Sequence, residues 1–151
     1  MEQKVSPESV LRKCMEQKLL LLTKIANLTK QMEVQSRQKE IEIGDLPEQR
    51  QIYIGRLKKC EAIIQNACCM LPVENQERSK AILSGKATQE GCTAEETEFL
   101  QCSIKCRGLL QNILSMDSIC RKRLQKECDR LQKLMQSGHR ATPQGAYQKH
   151  S

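Results

Sequence analysis

The chain predicts an all-α protein: an antiparallel helical hairpin plus a long third helix, forming an elongated bundle of coiled-coil character. Three observations carry this. Three long stretches each open on a helix start signal, at Ser6-Pro7-Glu8, Asp45-Leu46-Pro47-Glu48 and Thr93-Ala94-Glu95-Glu96. Within each, apolar residues recur at spacings of three and four, the period of one helix face. No stretch alternates as a strand would. With one Phe, two Tyr and no Trp, a broad core is hard to fill, whereas a narrow seam of Leu, Ile, Met and Cys is not.

The first helix is expected over about 7–40. Its seam is Leu11, Met15, Leu22, Ile25, Thr29, Met32 and Ser36, widened by Leu21 and Leu28, with Lys18 the exception at its slot. Ser6 can cap the exposed N–H groups, and Glu8 faces the positive end of the helix dipole. Gly44 supplies a stop. Asp45 and Glu48 have the spacing of a capping box for the second helix, expected over 46–70. There Pro47 occupies the first turn, where its missing N–H costs nothing. The second seam is Tyr53, Leu57, Cys60, Ile64, Ala67 and Leu71. A joint this short folds the two helices back on each other. A short helix over 72–84 using Ile82 and Leu83, then a loop over 85–92, leads to the third long helix.

That helix is expected over 94–136, opened by a second capping box at Thr93 and Glu96. Its seam is Phe99, Cys102, Cys106, Leu109, Ile113, Met116 and Cys120. Beyond Cys120 the spacing drifts to Leu124, Cys128, Leu131 and Met135. Such a register break rotates the apolar stripe, so this half is expected to face something other than the first two helices. Gly108 lies mid-helix, at a cost of about 1 kcal/mol against Ala unless close packing explains it. Residues 1–137 read as a single helical domain, and Gly138, Pro143 and Gly145 open a loose tail over 138–151.

Composition narrows the function. No apolar run is long enough to span a membrane, and the N-terminal residues lack the apolar stretch of a secretory signal. A cytoplasmic location is therefore expected. Nine cysteines, an odd number, read as reduced thiols, and Cys60, Cys102, Cys106 and Cys120 share the helix seams with Leu and Ile. Of the net charge of +7, six units fall within residues 121–151, which hold eight Lys/Arg against two acids. An anionic partner, if there is one, would bind there.

Several chemistries are disfavoured by residue type and spacing. Structural zinc sites show ligand pairs at short spacing on turns. Here Cys102 and Cys106 lie one helical turn apart, Cys68 and Cys69 are adjacent, and both histidines, His139 and His150, fall in the tail. No metal or other cofactor is expected. Catalysis needs a base near a nucleophile and a concave site; neither is legible, and no enzymatic activity is expected. The basic run Arg121-Lys122-Arg123, Lys126, Arg130, Lys133 could neutralise phosphates. It is interrupted by Glu127 and Asp129 and has no aromatic for base stacking, so nucleic acid is the weakest partner reading.

The remaining candidate is a protein-binding stripe made by Leu124, Cys128, Leu131, Leu134 and Met135. On patterning alone two uses stand level. It can take the amphipathic helix of a partner, or it can pack on itself, on residues 72–84 or in a homodimer, as in an adaptor coiled coil.

At these residues the chain resembles the FlgN family of flagellar export chaperones over residues 8–137 and the tail. The resemblance lies in the leucine cluster Leu19–Leu22, the Gly44-Asp45-Leu46 joint and the mixed charges between seam positions of the second helix. It continues in a broken middle region, in a long third helix containing Ser115-Met116 and Ile119, and in a basic end with Tyr147. The chain departs from the family at Gly108, where a polar residue is expected, and in its nine cysteines. The resemblance implies a cytoplasmic chaperone that binds a terminal helix of hook-associated (hook–filament junction) proteins of the FlgK and FlgL type. It would prevent their premature assembly and deliver them to the flagellar type III export apparatus. It places substrate contacts at Leu124, Cys128, Leu131, Leu134 and Met135, and an export-gate contact at Tyr147.

Overall fold

A computed structural model describes residues 6–141, with side chains as far as 138. Four helices follow in order: α1 (Pro7–Ser36), α2 (Leu46–Cys69), α3 (Val73–Leu83) and α4 (Ala94–Ala141). No strand occurs among the described residues. The architecture is the all-α elongated bundle that the periodicity predicts.

Local chemistry sets most of the boundaries. The Ser6 hydroxyl accepts from the Ser9 N–H at 3.2 Å and caps α1. At α4 the capping box is reciprocal: the Thr93 hydroxyl accepts from the Glu96 N–H at 3.1 Å, and the Glu96 carboxylate from the Thr93 N–H at 3.0 Å. The same box predicted at Asp45 does not form. Asp45 has φ −94° and ψ 10° rather than the extended backbone of a cap, and its side chain makes no capping bond.

α1 stops at Ser36, short of the expected 40. The Arg37 and Gln38 N–H groups bond to the Val34 and Gln35 carbonyls, three residues back, which tightens the last turn and ends the helix. α4 departs in the other direction, running through Gly138 to Ala141 rather than stopping near 136. A glycine weakens a helix interior but does not oblige it to end.

α1 and α2 form the predicted antiparallel hairpin. The Cys60 thiol donates to the Cys14 carbonyl at 3.2 Å, Lys18 pairs with Glu61 at 3.6 Å, and Arg50 donates to the Thr29 hydroxyl at 3.3 Å. The Lys18–Glu61 pair accounts for the lysine in the α1 seam. α4 then lies along α1 in the parallel sense, with Arg12 on Glu95, the Cys102 thiol on the Met15 carbonyl, and Arg123 on Glu33. α3 carries the chain across the end of the hairpin. Its Arg78 donates to the Glu96 carboxylate and the Gly91 carbonyl, tying α3, the loop and the start of α4 together. Gly85 turns the loop at φ +73°, and a Cβ there would lie 3.6 Å from the Ser103 backbone of α4.

Two apolar clusters fill the seam. One joins Leu11, Met15 and Leu21 to Cys60, Ile64, Ala67, Cys68 and Leu71. The other joins Leu22 and Ile25 to Cys106 and Ile113. Each fully buried Leu or Ile contributes about 1.5–3 kcal/mol. Thiols therefore take the place of branched side chains at the middle of the bundle.

Candidate helix-docking site

Length alone creates the site. α1 has 30 residues and α4 has 48, or about 45 Å and 72 Å at 1.5 Å per residue. The two start level, so α4 outruns the hairpin.

The hairpin ends at two polar interlocks. Glu33 is 7% exposed. It accepts from Arg37 at 2.9 Å and from Arg123 of α4 at 3.0 Å, and Arg123 also donates to the Ser36 hydroxyl at 3.2 Å. The Arg37 hydrogen bond holds the Glu33 carboxyl below its ordinary pKa, with Arg123 adding to it against the cost of burial. On the α2 side, Arg50 reaches Asp117 at 2.8 Å and Arg121 reaches it at 2.7 Å. Burial raises the Asp117 pKa, but these two arginines together outweigh it and the net shift is downward. Every buried side-chain nitrogen and oxygen among the described residues has a partner. The sequence reading missed these residues as a unit. Its one signal was the polar Thr29 and Ser36 inside an apolar seam, since a buried polar group demands a partner.

Past Arg123, α4 continues for about 27 Å with neither α1 nor α2 beside it. Leu124, next to the interlock, is half-buried, and Cys128 is exposed. Leu131, Leu134 and Met135 are 46%, 55% and 73% exposed. The stripe does clear the first two helices, but not by rotating. At roughly 100° per residue, Leu124, Leu131, Leu134 and Met135 all lie within about 60° of Cys120, on the face that α4 buries upstream. The apolar face runs straight on after its cover ends.

Other candidate groups are placed differently. All nine cysteines are free thiols. Burial pushes Cys106 up to about 12 and raises Cys60, Cys68 and Cys102 as well, which keeps them protonated and poorly nucleophilic. Among the described residues no group of three or more His, Cys, Asp or Glu is placed to hold a metal ion. The side chain of His139, together with His150 and Tyr147, lies outside the described residues. A cleft of about 330 Å³ lies at the far end of the bundle, lined by Leu11, Leu71, Ile82, Phe99 and Arg78 among others. Its arginine is already committed to Glu96. No described helix is long and apolar enough to cross a membrane.

The fold and site together define an elongated helical bundle with one uncovered apolar helix end. No protein-family model, no curated protein and no solved structure matches this chain.

Proposed function

We propose that this chain is a FlgN-like cytoplasmic chaperone. It would bind a terminal helix of hook-associated proteins of the FlgK and FlgL type on the α4 overhang, block their premature assembly, and hand them to the export apparatus. The observation that carries this reading is the uncovered stripe, in which Leu131, Leu134 and Met135 stay exposed on a helix whose same face is core upstream. Such a face suits an amphipathic helix laid along it. Its modest size suits a reversible hold, because association must first offset lost freedom of motion. The resemblance to the FlgN family supplies the identity of the cargo, and Tyr147 remains its export-gate candidate.

The test is co-purification of the full chain with hook–filament junction subunits, beside Leu131→Asp and a chain lacking residues 121–151. Wild type should capture a subunit. Both altered chains should lose capture, with Leu131→Asp keeping its helical circular dichroism. Undiminished capture by Leu131→Asp, or no capture by wild type, would remove the reading.

A further inference from the structure

We infer that Cys14 and Cys60 are an oxidisable pair, in which a peroxide closes a disulfide between α1 and α2. The pair lies in the hairpin, so this holds whatever the α4 overhang binds.

The two residues meet across facing helices. The Cys60 thiol donates to the Cys14 carbonyl at 3.2 Å. Cys60 belongs to the cluster that joins α1 to α2, and Cys14 packs against that cluster. Burial first, and then the Cys14 thiol by charge and hydrogen bond, push the Cys60 thiol up. A bridge between two packed helices leaves both backbones helical. Other neighbouring thiols lack that geometry. Cys102 and Cys106 also hydrogen-bond each other. They stand four apart on one helix, where β-carbons are about 5–6 Å apart, beyond the roughly 3.5–4.5 Å that a disulfide spans. Cys68 and Cys69 are adjacent in α2, where successive side chains diverge by about 100°.

Exposure assigns the roles. Cys14 is partly exposed, whereas Cys60 is 6% exposed, so peroxide meets Cys14 first. The Cys14 thiolate attacks one peroxide oxygen and the O–O bond breaks. Cys14 becomes a sulfenic acid, and the hydroxide released takes up the thiol proton as water. The Cys60 sulfur then attacks the Cys14 sulfur and the S–O bond breaks. The departing hydroxyl takes the Cys60 proton and leaves as a second water. Two thiols are oxidised to one disulfide as one peroxide is reduced to two waters. Cys60 needs no special acidity for this, because the fold already holds it beside its target. The bridge ties residues 46 apart in sequence, which restricts the unfolded chain.

The test treats the full reduced chain, kept dilute, with a small excess of hydrogen peroxide and then alkylates the remaining thiols. Trypsin cuts after Lys13 and Lys59, and fragmentation of the cross-linked mass should join Cys14 to Cys60. The thermal midpoint of the treated chain should rise by about 10 °C, as a closed loop of this length requires, and should fall back with dithiothreitol. Cys14→Ser should abolish both the link and the rise. Cys60→Ser should abolish the link and leave Cys14 as a sulfenic or sulfinic acid. Cys14→Ser alters a partly exposed position, so the comparison survives should Cys60→Ser fold poorly. Treated wild type in which Cys60 is still alkylated would overturn the inference. A bridge from either residue to a different thiol would do so too, as would a midpoint rise kept by Cys14→Ser.

Discussion

Truncating one leucine on each side of the interlock separates core from docking surface. Leu22 is 2% exposed and packs with Ile25, Cys106 and Ile113. Leu22→Ala removes buried carbons and leaves a cavity, at a cost of about 2–5 kcal/mol. Leu131 is 46% exposed, so only about half of the ordinary leucine burial is at stake. Leu131→Ala should therefore cost less than about 1 kcal/mol. For a chain of this size each kcal/mol moves the melting temperature by about 3 °C. Leu22→Ala should lower the circular-dichroism midpoint by about 6 °C or more, and Leu131→Ala by less than about 3 °C. Equal drops would refute the reasoning, because Leu131 would then be core. A midpoint for wild type that rises with protein concentration would identify the cover as a second copy.

Two further outcomes follow from particular residues. Gly108 is exposed in mid-α4, and a Cβ there meets nothing within 4 Å. Gly108→Ala should therefore stabilise the chain by about 0.5–1 kcal/mol in urea unfolding, and any destabilisation would contradict its placement. Glu96 is pulled down to about 2, first by its hydrogen bond from Arg78 and then by the Thr93 N–H. A carboxyl depressed in the folded state stabilises it above the ordinary value near 4.5, and this is lost as the pH falls toward 2. Wild type should be more stable than Glu96→Gln at pH 6 and lose that advantage by about pH 2, read from thermal midpoints; an advantage kept at pH 2 would contradict the linkage.

The parts of this fold that were legible in the sequence are those settled within a few residues. The Thr93/Glu96 box, the Ser6 cap and the hairpin after Gly44 are of that kind, and so are the seams of α1, α2 and the first half of α4. Asp45 misled because a cap depends on backbone angles as well as residue type. The end of α1 at Ser36 was hidden because no glycine or proline marks it, only a tightened turn backed by the Arg37–Glu33 bond. The parallel alignment of α1 and α4 was not legible at all. It rests on contacts such as Glu33–Arg123, 90 residues apart, and single-helix patterning carries no information about which helices lie level. For the candidate site, the stripe residues were readable from spacing. Their exposure was not, since it follows from the difference in length between two distant helices.

The parallel course of α1 and α4 also decides how the molecule can be handled. The chain enters α1 beside Glu95, at the start of α4, whereas the uncovered leucines lie near the other end of a helix about 72 Å long. An affinity handle or surface tether placed ahead of Ser6 would stand most of that length from the stripe and leave it open to solution. The same tether placed at Ala141, the last described residue of α4, would stand about 9 Å along the helix from Met135 and compete with whatever lands there. Immobilised assays should therefore anchor the amino-terminal side, and a fluorophore meant to report on occupancy belongs at the other extreme.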